Sequence, residues 1–238
     1  MKTIELQTFF DLIKYNAELD KKDIAHICSL TKTRPSEQKD NFDFDYGMEQ
    51  TFFIKSFLQH SNAESFFEIG TGRGTSSYAA SLIDNIKKIT TVDIIPHSQK
   101  KHEAINYKPA LVSNADLYGM IKFEQKEKIS FKHVDDYMQI VGDNKESFNV
   151  CFIDGNHDNK SIILNDFNIC MKLLKKPGYI IWDDYSPNQF KVKEVVDEIS
   201  QEHNLKCELI EFRGHMFGSK TPEKNAGEVI MKINENLH

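Results

Sequence analysis

Two short acidic segments carry the side chains with the clearest capacity for chemistry. The first is IDGNH at residues 153–157, with Asp154 and His157, and the second is WDDY at residues 182–185, with Asp183 and Asp184. Three carboxylates close together repel one another unless a cation neutralises them, and oxygen ligands of this kind suit Mg²⁺, Mn²⁺ or Ca²⁺ better than zinc. The plainer alternative is a pair of loops whose aspartates cap helices and face solvent.

His157 lies between Asp154 and the Asp183–Asp184 pair in the sequence, and it is open to two interpretations. An imidazole can accept a hydroxyl proton at neutral pH, which would make this residue a general base. It could equally be a loop histidine that hydrogen-bonds a carboxylate.

A glycine-rich loop, EIGTGRGTS at residues 68–76, indicates a second site. Glycine permits positive φ and close approach of the backbone to a ligand, and a helix start presents free N–H groups. Asp93 follows about 20 residues later, where a carboxylate can accept both hydroxyls of a ribose. The dinucleotide fingerprint GxGxxG requires glycine or alanine where this chain has Thr75, so NAD fits the loop less well than another adenosine ligand.

Strands that alternate with helices must position these segments. Apolar or β-branched runs predict strands at residues 66–69, 89–94, 129–134, 148–153, 179–182, 207–212 and 228–233. Helical patterns occupy residues 76–86, 162–174 and 190–203. This order is typical of an α/β fold with a mostly parallel seven-stranded sheet and helices on both faces. Ligands bind such sheets beyond the carboxyl ends of the strands, where the glycine loop and both acidic segments lie.

Apolar residues recur every three to four positions before the first predicted strand. We therefore expect residues 1–60 to form an N-terminal helical extension packed on one domain of residues 61–238. The segment 96–128 is long for a crossover and is either part of a lid or an elongated crossover helix with a loop. Pocket walls for a small substrate should come from this segment and from the extension.

Composition excludes several classes of protein. The chain has 30 Lys and Arg against 36 Asp and Glu, a formal charge of −6, which argues against a nucleic-acid-binding surface. It has no continuous apolar run long enough for a membrane span and no secretory signal. Its four cysteines are scattered without a CxxC pair, as expected for reduced thiols in a cytoplasmic protein. The N-terminal helical stripes could supply a homo-oligomer interface.

The glycine loop followed by Thr91, Val92 and Asp93 resembles the cofactor motifs of class I S-adenosylmethionine-dependent methyltransferases, which have a Rossmann-like fold. Asp135, just after the third predicted strand, matches the position that lies near the adenine in this family, although it could instead cap a helix. The resemblance implies that S-adenosyl-L-methionine is bound by the following residues: Glu68, Gly70, Thr71, Gly72, Gly74, Ser76, Asp93 and Asp135.

The two acidic segments resemble the IDGDH and FDDY sequences of metal-dependent sugar O-methyltransferases of the macrocin and mycinamicin type, and more broadly catechol O-methyltransferase-like enzymes. The resemblance covers about residues 46–185 and departs at Asn156 and Trp182. It implies that Asp154, Asp183 and Asp184 bind Mg²⁺ or another divalent cation, and that His157, with Asp154, is catalytic. A small acceptor with vicinal hydroxyls, such as a sugar or a catechol, is the expected substrate.

Two other functions remain open at this stage. The first is an NAD-dependent oxidoreductase that uses the same glycine loop, against which the glycine spacing argues. The second is a binding module that retains the cofactor fold without catalysis, against which the three aspartates and His157 argue. A partner that is a nucleic acid or a membrane is not expected.

Overall fold

One twisted sheet crosses the part of the chain that the structure, a computed structural model, describes, namely residues 1–31, 49–100, 113–212 and 224–234. Its strands are β1 (Lys2–Glu5), β2 (Ser65–Ile69), β3 (Lys88–Asp93), β4 (Ile129–His133), β5 (Phe148–Ile153), β6 (Leu174–Tyr185), β7 (Cys207–Glu211) and β8 (Gly227–Ile233). They lie in the order β1-β7-β8-β6-β5-β2-β3-β4. Neighbouring strands are parallel, except that β8 is antiparallel to both β6 and β7.

Helices cover both faces of this sheet. They are α1 (Leu6–Ile13), α2 (Ala17–Thr31), α3 (Glu49–His60), α4 (Thr75–Ser81), α5 (Asn114–Met120), α6 (Phe123–Lys126), α7 (Tyr137–Asn144), α8 (Lys160–Leu173) and α9 (Val192–Glu202). The first four helices and α5 contribute to one hydrophobic core, and α7, α8 and α9 contribute to the other.

Strand β2 shows how the sequence divides between the two cores. Phe66 and Phe67 are both fully buried, but Phe66 belongs to the core under α1–α5 and Phe67 to the core under α7–α9. Successive side chains of a strand point to opposite faces, so an unbroken apolar run is required where both faces are covered. The same helices thereby hold β2 and β5 in the centre of the sheet.

The predicted α/β fold class is confirmed, with one strand more than expected. Residues 2–5 form β1, which pairs with the edge strand β7, whereas the sequence pattern had assigned them to a helix. Ile4 is the one buried residue of β1, so the strand is too short for alternation to show. Leu6, Phe9 and Phe10 then form the buried face of α1, as the helical spacing predicted.

The strand order reverses between β2 and β5, which are neighbours. From β2 the chain adds β3 and β4 on one side, then crosses back to place β5 and β6 on the other. A crevice opens at such a reversal beyond the carboxyl ends of the strands. Within the segment 96–128, residues 101–112 lie outside the described residues, and the remainder includes α5 and α6.

In the described parts of the chain, no helix combines the length and the apolar character needed to cross a membrane.

Candidate active site

The glycine loop between β2 and α4 is fixed by contact with the loop that follows β5. Gly70 has φ +94°, and a Cβ atom there would lie 1.7 Å from the carbonyl oxygen of Asp154. The amide of Gly70 donates to the carbonyl of Val92, and the amide of Asp154 donates to the carbonyl of Ile69, each at 2.8 Å. Only glycine permits both the positive φ and this close approach. Gly74, with φ 84°, caps the N-terminus of α4.

Glu68 lies buried beneath the loop, where it accepts two short hydrogen bonds. Its Oε2 accepts from Ser77 Oγ and from Thr91 Oγ1, each at 2.6 Å. Thr91 Oγ1 also lies 2.6 Å from Thr71 Oγ1, so one network ties β2, β3, α4 and the loop together. Ser76 is likewise buried on α4. The structure therefore places Glu68 beneath the loop, in a position to support it.

Asp93, at the end of β3, holds the other side of the loop. Its Oδ2 accepts from the amide of Gly72 at 3.0 Å, and its Oδ1 accepts from the amide of Ile95 at 2.9 Å. Each carboxylate oxygen has a second lone pair, so the side chain can still accept hydrogen bonds from a ligand. The sequence placed Asp93 beside the glycines, and the structure brings them together.

A cavity of about 390 Å³ opens at the crevice between β2 and β5. This volume falls in the range of small-molecule and cofactor sites. Its walls come from the ends of β2, β3 and β5, the turn after β4, and α8, through these residues: Ile69, Gly70, Gly72, Val92, Asp93, Ile94, Ile95, Val134, Tyr137, Asp154, Gly155, Asn156, Ile162, Asn165 and Asp166. Asp166 was not singled out in the sequence, since a single acidic residue on a helix usually faces solvent. Here it is buried, which raises its pKa to about 7.

Asp135 lies outside the group of residues that line this cavity. Its side chain is exposed, and its Oδ2 lies 3.1 Å from Nδ1 of His133. The neighbouring Val134 and Tyr137 line the cavity instead. The turn after β4 thus contributes to the cavity through apolar and aromatic side chains rather than through Asp135.

Two further contacts tie the loop to its surroundings, and neither was predicted from the sequence. His97 Nε2 lies 3.2 Å from Thr71 Oγ1, and its ring packs on Phe131 at 4.6 Å between centroids. Arg73 donates to the backbone carbonyl of Thr31, at the end of α2. This bond connects α2 to the glycine loop.

Four carboxylates gather just after β5 and at the paired ends of β6 and β8, and we call Asp154, Asp183, Asp184 and Glu228 the acidic cluster. Asp183 and Asp184 lie within β6, which extends to Tyr185, whereas the sequence pattern predicted a strand that ends at Trp182. Asp183 lies within hydrogen-bonding reach of both Asp154 and Glu228. His157 borders the cluster, with Nδ1 3.2 Å from Asp184 Oδ2 and Nε2 3.8 Å from Asp154 Oδ1. The structure thus brings together all four residues of the two acidic segments.

Crowding of like charges in a buried place dominates the electrostatics of this cluster. Burial and then the charge of Asp183 raise the pKa of Asp154 well above its usual range. The same two causes raise the pKa of Asp184 to about 9 and that of Glu228 well above its usual range. Every contribution to the pKa of Asp154 has the same sign, so the cluster as it stands favours protons over charge.

Glu228 is the member of the cluster that the sequence did not reveal. It is fully buried, and its Oε1 accepts a hydrogen bond of 3.0 Å from Gln50 Nε2 on α3. The available signal was an acidic residue at the start of an otherwise apolar strand, EVIMKI at residues 228–233. That signal could not locate Glu228, because the antiparallel pairing of β8 with β6 was not predictable from spacing.

The atoms of the cluster that could bind a metal are all carboxylate oxygens, which suit a hard divalent cation. Oε2 of Glu228 is buried and has no hydrogen-bond partner among the described residues. Within those same residues, however, no group of three or more His, Cys, Asp or Glu side chains is arranged to hold a metal ion. A cation would therefore have to draw the carboxylates together. The residues fit a divalent cation in the chemical type of their ligand atoms.

Comparison with known proteins identifies a family and agrees with the fold. The sequence matches a methyltransferase domain family over residues 67–185. The fold resembles an O-methyltransferase from Bacillus cereus in complex with SAH, at 16% identity and a TM-score of 0.55, with 90% of each chain covered. It also resembles the O-methyltransferase TomG from Streptomyces achromogenes in complex with SAM, at 11% identity and a TM-score of 0.58, again with 90% of each chain covered. No curated protein sequence matches the chain.

Proposed function

Because the chain belongs to the methyltransferase family that it matches over residues 67–185, we propose that it is an S-adenosylmethionine-dependent O-methyltransferase of a small hydroxylated acceptor. The observation that carries the proposal is the position of Asp154. This residue lines the cavity beside the glycine loop and also belongs to the acidic cluster. A cofactor in the cavity would therefore lie next to carboxylates and an imidazole that can act on a hydroxyl group.

Binding of the cofactor is assigned to the cavity at the strand reversal. S-adenosylmethionine, when bound, supplies a methyl group on a cationic sulfonium. Gly70 and Gly72 line the cavity with backbone, and Asp93 offers carboxylate oxygens to a ribose. Ile94, Val134 and Tyr137 provide apolar and aromatic surface suited to a purine. The buried bonds of Glu68 hold the loop in this shape.

The acceptor hydroxyl is assigned to the acidic cluster. Methyl transfer requires the hydroxyl oxygen and the methyl carbon to be aligned about 3–3.5 Å apart, so positioning is the main task of the protein. His157 removes the hydroxyl proton, and the Asp184 carboxylate, whose Oδ2 lies 3.2 Å from Nδ1 of His157, stabilises the imidazolium that forms. A divalent cation bound by Asp154, Asp183 and Asp184 would lower the pKa of the hydroxyl and direct its oxygen.

An acceptor with two neighbouring hydroxyls, such as a sugar or a catechol, suits this site best. The cluster presents several carboxylates within a short distance, and each is a hydrogen-bond acceptor. One hydroxyl could react while the other is held by a second carboxylate. A single isolated hydroxyl would leave part of the cluster without a partner, which is costly in a buried place.

The first test compares ligands by isothermal titration calorimetry. We expect S-adenosylhomocysteine to bind with one site per chain and NADH to show no binding. Binding of NADH alone would overturn the proposal in favour of an oxidoreductase.

The second test measures transfer of a labelled methyl group from S-adenosylmethionine to a panel of sugars and catechols, with and without EDTA. We expect transfer to a vicinal diol, loss with EDTA and recovery with Mg²⁺. Transfer that survives both EDTA and Asp183→Asn would remove the metal from the proposal and leave the methyltransferase intact. Cofactor binding with no transfer to any acceptor in the panel would favour a non-catalytic binding module.

Organisation and location complete the proposal. We assign residues 61–238 to the methyltransferase domain and residues 1–60 to an extension that packs on it through α1, α2 and α3 and adds β1 to its sheet. The four cysteines, Cys28, Cys151, Cys170 and Cys207, are buried free thiols. Buried free thiols are typical of proteins in a reducing compartment, which supports a cytoplasmic location.

A further inference from the structure

We propose that Glu228 is a fourth carboxylate ligand of the cation site, and that Gln50 positions it. This inference rests on the metal-dependent form of the proposed function and deepens it. Neither residue belongs to the two acidic segments, and they come from opposite ends of the chain, on β8 and on α3.

The backbone pairing of β6 with β8 places Glu228 beside the two aspartates. Trp182 pairs with Val229 and Tyr185 pairs with Gly227, with a shift of register between them. Two residues of β6, Asp183 and Asp184, therefore lie opposite the single residue Glu228. This is the arrangement of a β-bulge, which redirects side chains and recurs next to active sites.

The conformation of Asp184 agrees with a bulge at this point. Its φ is +55°, a left-handed value that is uncommon for a residue other than glycine. The conformation interrupts the alternation of side chains along β6, so Asp183 and Asp184 can both face the same site. Glu228, on the unbulged strand, faces that place from the other side.

The hydrogen bonding of Glu228 is incomplete in a specific way. Oε1 accepts from Gln50 Nε2 at 3.0 Å, whereas Oε2 is buried without a hydrogen-bond partner in the described part of the chain. Asp183, which lies within hydrogen-bonding reach of Glu228, is another carboxylate and also accepts rather than donates when ionised. A buried acceptor with no donor is costly. A cation between Glu228 and Asp183 would satisfy both.

Gln50 limits how the Glu228 carboxyl can turn. Its amide holds Oε1 from the side of α3, which leaves Oε2 as the oxygen that a cation could bind. The role of Gln50 is thus to position a ligand, as is usual for hydrogen-bond partners of metal-binding carboxylates.

The proposal is tested by Mn²⁺ binding to the full-length chain in the presence of saturating S-adenosylhomocysteine, followed by electron paramagnetic resonance of free Mn²⁺. We expect one site in the wild-type protein, and an affinity roughly tenfold to a hundredfold lower in Glu228→Gln. Gln50→Leu should weaken binding by a smaller factor. Glu208→Gln, on the neighbouring strand β7 and outside the cluster, is the matched control and should bind as the wild type does.

Each outcome separates this inference from the function on which it rests. S-adenosylhomocysteine titration shows that each variant is folded, and Glu228→Asp provides a second variant that keeps the charge but shortens the side chain. Wild-type Mn²⁺ affinity in both Glu228 variants, together with loss of binding in Asp183→Asn, would overturn the inference and leave the metal site standing. A wild-type protein that transfers methyl groups but binds no Mn²⁺ would overturn the inference and the metal while leaving the methyltransferase.

Discussion

Asp154 lies against the glycine loop and belongs to the acidic cluster, but the carboxylates of these two regions differ in their hydrogen bonding. In the loop, Glu68 accepts from two hydroxyls and Asp93 accepts from two backbone amides. In the cluster, carboxylates face one another, and Oε2 of Glu228 has no partner among the described residues. The hydrogen bonding of these loop carboxylates is thus provided by the protein itself. The carboxylates of the cluster, in contrast, are satisfied only by protons, a cation or the hydroxyl groups of a methyl acceptor.

This difference suggests a division of labour. A loop that is held by its own hydrogen bonds is preorganised, so little free energy is spent on ordering it when the cofactor binds. A cluster with unsatisfied charge stores unfavourable energy that a reacting group can relieve, which is a common property of active sites. Substitutions in the loop and in the cluster should therefore have separable effects on cofactor binding and on methyl transfer.

Removal of the proposed base should have the largest effect. His157→Ala is expected to lower the rate of methyl transfer by roughly a hundredfold to ten-thousandfold, since that is the usual contribution of a general base. Affinity for S-adenosylhomocysteine should change less than about twofold, because the glycine loop does not depend on the imidazole. Steady-state kinetics and calorimetry on the same samples measure both. His26→Ala, on the exposed face of α2, is the control. Unchanged transfer by His157→Ala would remove it from the mechanism.

Gly70→Ala should damage the cofactor side. The added methyl group would lie 1.7 Å from the carbonyl oxygen of Asp154, at a φ of +94° that alanine disfavours. We expect a loss of stability of about 3 kcal/mol or more and at least a hundredfold weaker binding of S-adenosylhomocysteine. Gly142→Ala in α7 is the matched control, since a Cβ atom there meets no atom within 4 Å. Equal behaviour of the two variants, by urea unfolding and calorimetry, would contradict the loop geometry.

Asp166 is an exception within the cofactor side, because it is a buried carboxylate whose pKa burial raises from 3.8 to about 7. The folded protein holds this proton more tightly than the unfolded chain, so ionisation costs stability as the pH rises. The size of the pKa shift limits this cost in stability to roughly 4 kcal/mol above pH 7. Asp166→Asn removes this cost, and we expect a gain of roughly 2 kcal/mol that grows between about pH 4 and pH 7 and then levels off.

Urea unfolding across this pH range measures the gain. Asp143→Asn, at an exposed position of α7, should show no such trend. A gain in stability that does not change with pH would mean that the pKa of Asp166 is not raised in the folded protein.

Ser77→Ala should have the smallest effect of the series. It removes one of the two donors to Glu68 Oε2 and leaves the bond from Thr91. The expected cost is about 1–2 kcal/mol of stability, with cofactor affinity reduced a few-fold. Ser130→Ala, at an exposed position of β4, should cost less than about 0.5 kcal/mol. A Ser77→Ala variant as stable as the wild type by thermal unfolding would show that the network does not support the loop.

The sequence predicted those parts of the molecule that depend on short-range pattern. Apolar runs and glycine spacing located β2, β3, β5 and the loop, and the two acidic segments were assigned to strands that prove to be neighbours. Asp183 and Asp184 lie within β6, however, rather than after it. It did not predict β1, whose single buried residue, Ile4, gives no periodicity. Glu228 and Gln50 escaped for a different reason, since their contact spans 178 positions and depends on an antiparallel pairing with a bulge. Long-range pairing of this kind leaves no local trace.

The division of labour itself is tested most directly by the double variant Asp154→Asn/Asp183→Asn, assayed for both S-adenosylhomocysteine binding and methyl transfer to a vicinal diol. We expect S-adenosylhomocysteine to bind within about threefold of the wild-type affinity, since the side chains of Glu68 and Asp93 and the backbone of the loop are unchanged. Transfer should be reduced by at least about a thousandfold, because the acceptor site has lost two of its carboxylates. Transfer at the wild-type rate would show that the acidic cluster is not where the acceptor reacts.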